Sequence, residues 1–126
     1  MQLNYETLRT CNRNVNETVT YTPDAEKYGQ PDWWADALDE GNQGDCDDYA
    51  IAKLRKLLAA GWPRAALKIG LCWVETGEYH CVLVATFERE DWVLDNRYPL
   101  PMRWEMLPYK WDKLYLLGER IWRAAA

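Results

Sequence analysis

Cys46 stands among carboxylates in the run Gly44-Asp45-Cys46-Asp47-Asp48-Tyr49, where a helical pattern begins, and the chain's single histidine, His80, follows inside an apolar run that reads as a strand. A cysteine in the first turn of a helix has its thiolate stabilised by free backbone N–H groups and the positive end of the macrodipole. With an imidazole to take its proton, such a thiol attacks acyl carbon. A third polar residue, Asp95, interrupts another apolar run, Trp92-Val93-Leu94-Asp95-Asn96. The order predicts a triad in which Cys46 is the nucleophile, His80 the base and Asp95 the group that orients the imidazole, with Asn96 as the alternative orienting residue. That chemistry breaks or exchanges amide bonds.

Each of these residues has an inert counterpart: a buried thiol, a hydrogen-bonded core histidine, a strand-end carboxylate. The polar setting of Cys46 and the presence of all three together favour the reactive reading. The carboxylates oppose it, because negative charge beside a thiol raises its pKa. Asp45 and Asp48 are three apart and share a helix face, where they can cap the helix. The other role open to Asp45, Asp47 and Asp48 is to hold a hard divalent cation, which would reverse the local sign of charge. Spacing alone tilts toward capping. A developing oxyanion needs a donor besides the Cys46 N–H, and Asn42, Gln43, Trp33 and Trp34 are near enough in sequence to be candidates.

The elements that must carry these groups are legible from periodicity. Leu8, Cys11, Val15 and Val19 recur at helical steps and predict a helix over 3–19. The Pro-, Gly- and Asp-rich stretch 20–32 reads as a loop, with a short helix after it carrying Trp33, Trp34 and Leu38. A central helix is predicted over 46–60 from the stripe Ala50, Leu54, Leu57 and Leu58, stopped by Gly61 and Pro63. Strands follow at 66–74, 79–86 and 91–96, then a last hairpin around Gly118. Helices followed by an antiparallel sheet make an α+β domain, and 126 residues suffice for one core.

Register decides whether the triad closes. A two-residue turn at Thr76-Gly77 would oppose Cys72 to Cys81 and Trp73 to His80. Core thiols are favoured at 72 and 81 over a cross-strand disulfide. Direct opposition of His80 and Asp95 calls for a turn at Phe87-Glu88, or a bulge that makes up the difference. Tyr79 and Trp73 are candidates to line a substrate groove.

Composition narrows the partners. With a formal net charge of −5 and its basic residues scattered or confined to one helix face (Lys53, Arg55, Lys56), the chain has no stripe to track phosphates, so nucleic acid is not an expected partner. No apolar stretch approaches the roughly 20 residues of a membrane span. The polar start, with no leader pattern, reads as cytoplasmic, or as a mature form trimmed of a periplasmic signal. Eight Trp and eight Tyr suit groove walls that contact a protein or peptide. Four cysteines match no metal-ligand spacing, no organic cofactor is indicated, and oligomeric state is left open.

The segments Asp32-Trp33, Gly44 through Lys53, His80 with its apolar tail, Val93-Leu94-Asp95-Asn96, Leu107-Pro108-Tyr109 and Gly118 to Trp122 together resemble the bacterial transglutaminase-like cysteine proteinases, a family that includes a periplasmic protease processing biofilm adhesins. The resemblance implies a papain-like or transglutaminase-like core with Cys46, His80 and Asp95 as the triad of a cysteine endopeptidase. It also implies a calcium site on Asp45, Asp47 and Asp48, with Asp47 standing where the family commonly has Glu. Rival readings are a transglutaminase, acyltransferase or peptidoglycan amidase with the same triad, and a catalytically silent calcium-dependent binding module.

Overall fold

The computed structural model describes residues 4–18 and 45–125, apart from the side chains of residues 18 and 45–48. Helix α1 (Tyr5–Thr18) starts at Asn4, whose Oδ1 accepts from the Thr7 N–H at 3.0 Å, and buries Leu8, Cys11 and Val15. Helix α2 (Asp45–Ala59) buries Ala50, Ile51, Leu54 and Leu57 on one stripe. It ends in a Schellman closure, with Gly61 N–H on the Leu58 carbonyl and Trp62 N–H on the Leu57 carbonyl. Gly61 takes φ +99° there, which glycine adopts without the Cβ clash, and the buried Trp62 seals the turn.

Six antiparallel strands follow in one sheet: β1 (Leu67–Trp73), β2 (Tyr79–Phe87), β3 (Glu90–Leu94), β4 (Met102–Arg103), β5 (Lys110–Leu116) and β6 (Ile121–Ala124), ordered β4-β3-β2-β1-β5-β6. The helices cover one face through a core that joins α1 and α2 to Leu67, Ile69, Leu71, Cys81, Leu83, Ala85 and Leu94. Alternation sends Cys72, Val82, Val84 and Val93 to the other face, where Leu107 and Tyr109 cover them. On that side Trp104 stacks on Trp111, ring centroids 3.7 Å apart. This α+β layout agrees with the sequence reading; the short β4 and the 3-10 turns at Arg64–Ala66 and Trp104–Met106 went unpredicted.

Both predicted hairpin registers need correction. The β1–β2 loop has three residues, Glu75-Thr76-Gly77, because Gly77 is its left-handed last position (φ +92°) rather than the second residue of a two-residue turn. Trp73 therefore opposes Tyr79, Cys72 opposes His80, and Cys81 opposes Leu71. Cys72 and Cys81 fall on opposite faces, and both are free thiols. The β2–β3 turn is Glu88-Arg89, not Phe87-Glu88, with Phe87 opposite Glu90.

Glu88 and Arg89 sit at φ 51° and 67°, the left-handed pair of a type I′ turn, which side-chain-bearing residues occupy at a cost of roughly 1–2 kcal/mol each. Replacing Arg89 with glycine is expected to raise unfolding free energy by about 0.5–1 kcal/mol once glycine's own entropy is set against the relief. Urea titration checks this; a lowered midpoint would show that the turn is not strained.

Lys53 also departs from expectation. Arg55 and Lys56 are exposed, but Lys53 is fully buried, its Nζ without a hydrogen-bond partner among the described residues and 5.9 Å from the centre of the Tyr49 ring. Burial pulls its pKa down from 10.5 to about 8 against the opposing charge of Asp95. A depressed lysine pKa means the unfolded chain holds the proton more tightly, so the penalty is full below about pH 8 and fades as pH rises toward 10.5. The fall corresponds to about 3 kcal/mol. Lys53→Met, which keeps the stem, is expected to stabilise the protein at pH 7 by about 2–3 kcal/mol. A chemical denaturation series checks this, and a destabilised variant would contradict it.

Candidate active site

The second residue of β2 and the residue just past the end of β3 meet at one end of the sheet. His80 Nε2 lies 2.7 Å from Asp95 Oδ1, with His80 8% and Asp95 1% exposed. Leu83 pairs with Leu94, so continuing that register sets Asp95 level with Val82, two residues from His80 on the same face. The contact is thus diagonal, and neither direct opposition nor a bulge is needed. Asn96 is exposed, and the orienting contact falls to Asp95.

Asp95 is held from several elements. The Arg97 backbone N–H donates to Oδ1 at 3.0 Å, and the Tyr109 hydroxyl, arriving just before β5, donates to Oδ2. From α1, the Asn16 amide donates to the Asp95 carbonyl at 3.1 Å and the Tyr98 carbonyl at 3.2 Å, and Asn12 adds a 3.0 Å bond to the same Tyr98 oxygen. Burial pushes the Asp95 carboxyl up, but the bonds and charge from His80, then Tyr109 and the Arg97 N–H, outweigh it and leave the group below its ordinary 3.8. It is a carboxylate at neutral pH.

Beyond Tyr109 the network reaches the surface. Arg97 Nη1 donates to the Tyr109 hydroxyl oxygen at 3.0 Å and pairs with Glu75 in the β1–β2 loop through bonds of 2.8 and 3.0 Å. Tyr109 lies edge-on to His80, ring centroids 6.3 Å apart. Burial, then the bond to Asp95, pushes its phenol well above the ordinary tyrosine range, so it stays a donor. Tyr109, Arg97, Glu75 and Asn16 were missed as members of this network. The sequence signals were Arg97 two places after Asp95 and the Leu107-Pro108-Tyr109 segment of the family resemblance; Glu75 and Asn16 lie far off in the chain.

Tyr79 and Trp73 pack together at 5.1 Å beside His80, with Trp73 37% exposed. The Tyr79 hydroxyl donates to Asp112, the residue at the register shift where Leu71 faces Lys113 and Cys72 faces Trp111.

Cys46 occupies the first turn of α2, as predicted, and its backbone belongs to that helix; its side chain, and those of Asp45, Asp47 and Asp48, lie outside the described residues. So do Trp33, Trp34, Asn42 and Gln43, together with the predicted loop and short helix. Among the described residues no three His, Cys, Asp or Glu side chains gather to hold a metal ion, and no helix is long and apolar enough to cross a membrane.

The structure joins a helix-backed antiparallel sheet, a buried His–Asp pair at the sheet's end and a cysteine in the first turn of the packed helix. The chain belongs to the bacterial transglutaminase-like cysteine proteinases, whose family model matches residues 1–120. Among solved structures it is similar to Legionella pneumophila LapG (26% identity, TM-score 0.63) and to the calcium-bound form of LapG (26%, 0.64), each match covering 87% of this chain. The EGTA-treated form matches at 25% identity and TM-score 0.62, over 95% of this chain and 71% of the LapG chain. The chain spans 64% of the length of the first two. No curated protein sequence matches it.

Proposed function

We propose that this chain is a cysteine endopeptidase with a papain-like catalytic core, in which Cys46 attacks a peptide carbonyl, His80 moves the proton and Asp95 holds His80. The observation that carries the reading is the buried bond between His80 Nε2 and Asp95 Oδ1. A carboxylate accepts only, so Nε2 bears the proton and Nδ1 is left as the base. Nδ1 takes the Cys46 thiol proton, and the thiolate adds to the carbonyl. The imidazolium then protonates the leaving amine, and water cleaves the thioester in a mirrored sequence.

Topology supports the approach of Cys46. Only residues 60–66 join the end of α2 to the start of β1, and Trp62 packs on Phe87 at the far end of β2. The buried face of α2 lies on β2, so its N-terminal end points toward the sheet end where β2 begins and His80 stands. By alternation His80 sits on the side away from the helices, and the thiol must reach it around the sheet's end. Asn16 of α1 reaches Asp95 at that same end, and the Lys53 charge acts on it. The Cys46 N–H, with Asn42, Gln43, Trp33 or Trp34, would stabilise the oxyanion, and the ledge of Trp73 and Tyr79 would flank the substrate.

The donor chemistry at the head of α2 suits calcium, since Asp45, Asp47 and Asp48 offer hard oxygens. Three-residue spacing on a helix puts positions 45 and 48 about 60° apart and position 47 across from 45, which favours Asp45 and Asp48 as the pair to test first. A calcium ion there would offset the negative charge beside the thiol. Added calcium is expected to raise the melting temperature in a concentration-dependent way that EGTA reverses and that Asp45→Ala/Asp48→Ala abolishes. An identical calcium response in the double variant would move the site elsewhere.

Incubation with a denatured proteome tests the activity. New peptide termini that vanish in Cys46→Ala are expected, whereas amine incorporation without new termini would turn the reading to the transferase alternative.

A further inference from the structure

The buried Asp95 carboxylate is fixed at both oxygens, and the two fixings differ in kind. Oδ1 accepts from His80 Nε2 and the Arg97 backbone N–H, the latter set by local chain geometry. Oδ2 accepts from one described side chain, the Tyr109 hydroxyl, fourteen residues away. Without that donor the carboxylate is held through Oδ1 alone, its torsion about the Cβ–Cγ bond less constrained, with a buried oxygen unsatisfied. The Tyr109 oxygen in turn accepts from Arg97, which polarises the phenol and strengthens what it donates. Arg97 is aimed by a two-bond pairing with Glu75 on the β1–β2 loop, and its guanidinium lies 5.5 Å over the Tyr109 ring. An exposed ion pair of this kind contributes little to stability. Its effect here is to hold Arg97 against the phenol.

We propose that Tyr109 is a positioning residue for the His80–Asp95 pair, held in place by an Arg97–Glu75 strap that ties the hairpin loop after β1 to the orienting carboxylate. This rests on the peptidase reading only for its catalytic consequence; the geometric claim stands by itself. A strap so built makes the β1–β2 loop a place from which the orientation of His80 is tuned.

The test uses the full chain carrying Cys46→Ala, and its readout is the proton NMR signal of the imidazole N–H bonded to Asp95, assignable at once because His80 is the only histidine. Tyr109→Phe is expected to accelerate solvent exchange of this proton by tenfold or more, or to broaden the signal away, while the melting transition stays cooperative. Arg97→Met, which keeps the backbone N–H, is expected to give a smaller acceleration in the same direction. On the Cys46 background, Tyr109→Phe should lower kcat on the order of ten- to a hundredfold with KM little changed. An unchanged N–H signal in folded Tyr109→Phe, or in Arg97→Met should the first variant fail to fold, overturns the proposal. Absence of turnover in the unsubstituted chain would count against the peptidase reading while the NMR comparison still decides this one.

Discussion

Cys46→Ala is expected to abolish proteolysis, by about 10⁴-fold or more in kcat/KM, and His80→Ala to match it. The two losses should not add. A thiol without its base and a base without its thiol are equally incompetent, so the double variant should be no worse than either single one. Cys46→Ala removes one sulfur at a helix head and should leave the melting temperature within a few degrees of the parent. Substrate-cleavage rates for the three variants check this; a His80→Ala protein retaining more than a tenth of the parent rate would remove His80 from the mechanism.

The second large effect is at Asp95. Asp95→Ala strips His80 Nε2, the Tyr109 hydroxyl and the Arg97 N–H of their shared acceptor in a buried setting. Activity is expected to fall by about 10²- to 10⁴-fold, and stability by about 3 kcal/mol or more. The carboxyl lies below its ordinary 3.8 in the folded chain, so the unfolded chain binds its proton first as pH falls. The stability it contributes is complete above that ordinary value and is lost as pH drops through the lower folded value. Asp95→Asn should therefore flatten the acid limb of the stability curve below about pH 4. Urea midpoints from pH 2.5 to 7 check the sign; an acid limb as steep in Asp95→Asn as in the parent would show that other carboxylates carry it.

The elements that carry the candidate residues are legible in the sequence. The helix carrying Cys46, the strand carrying His80 and the α+β order followed from periodicity and from stop signals such as Gly61, whose left-handed φ closes α2. Registers were harder. A single added loop residue at Glu75-Thr76-Gly77 shifts every pairing in the hairpin, and sequence does not say whether Gly77 ends a two- or a three-residue turn. The Glu88-Arg89 turn lacks the glycine or asparagine that marks the type I′ class, so it gave no signal. Lys53 read as one of three cations on a single helix face with Arg55 and Lys56, because burying an ammonium without a partner is too costly to be expected from a pattern. The network behind Asp95 gathers side chains from α1, the β1–β2 loop and the residue just before β5, a convergence that only tertiary structure creates.

The most direct measurement is the rate at which iodoacetamide alkylates Cys46 in the native protein at pH 7, followed residue by residue by mass spectrometry, in the parent and in His80→Ala. Cys11, Cys72 and Cys81 are buried and should label slowly, Cys11 with its thiol pushed up by burial to about 11. Alkylation of Cys46 at least tenfold faster than a free model thiol, falling to or below that rate in His80→Ala, is the predicted result. Cys46 reacting at the model rate in both proteins would contradict the thiol–imidazole pair on which the proposed chemistry depends.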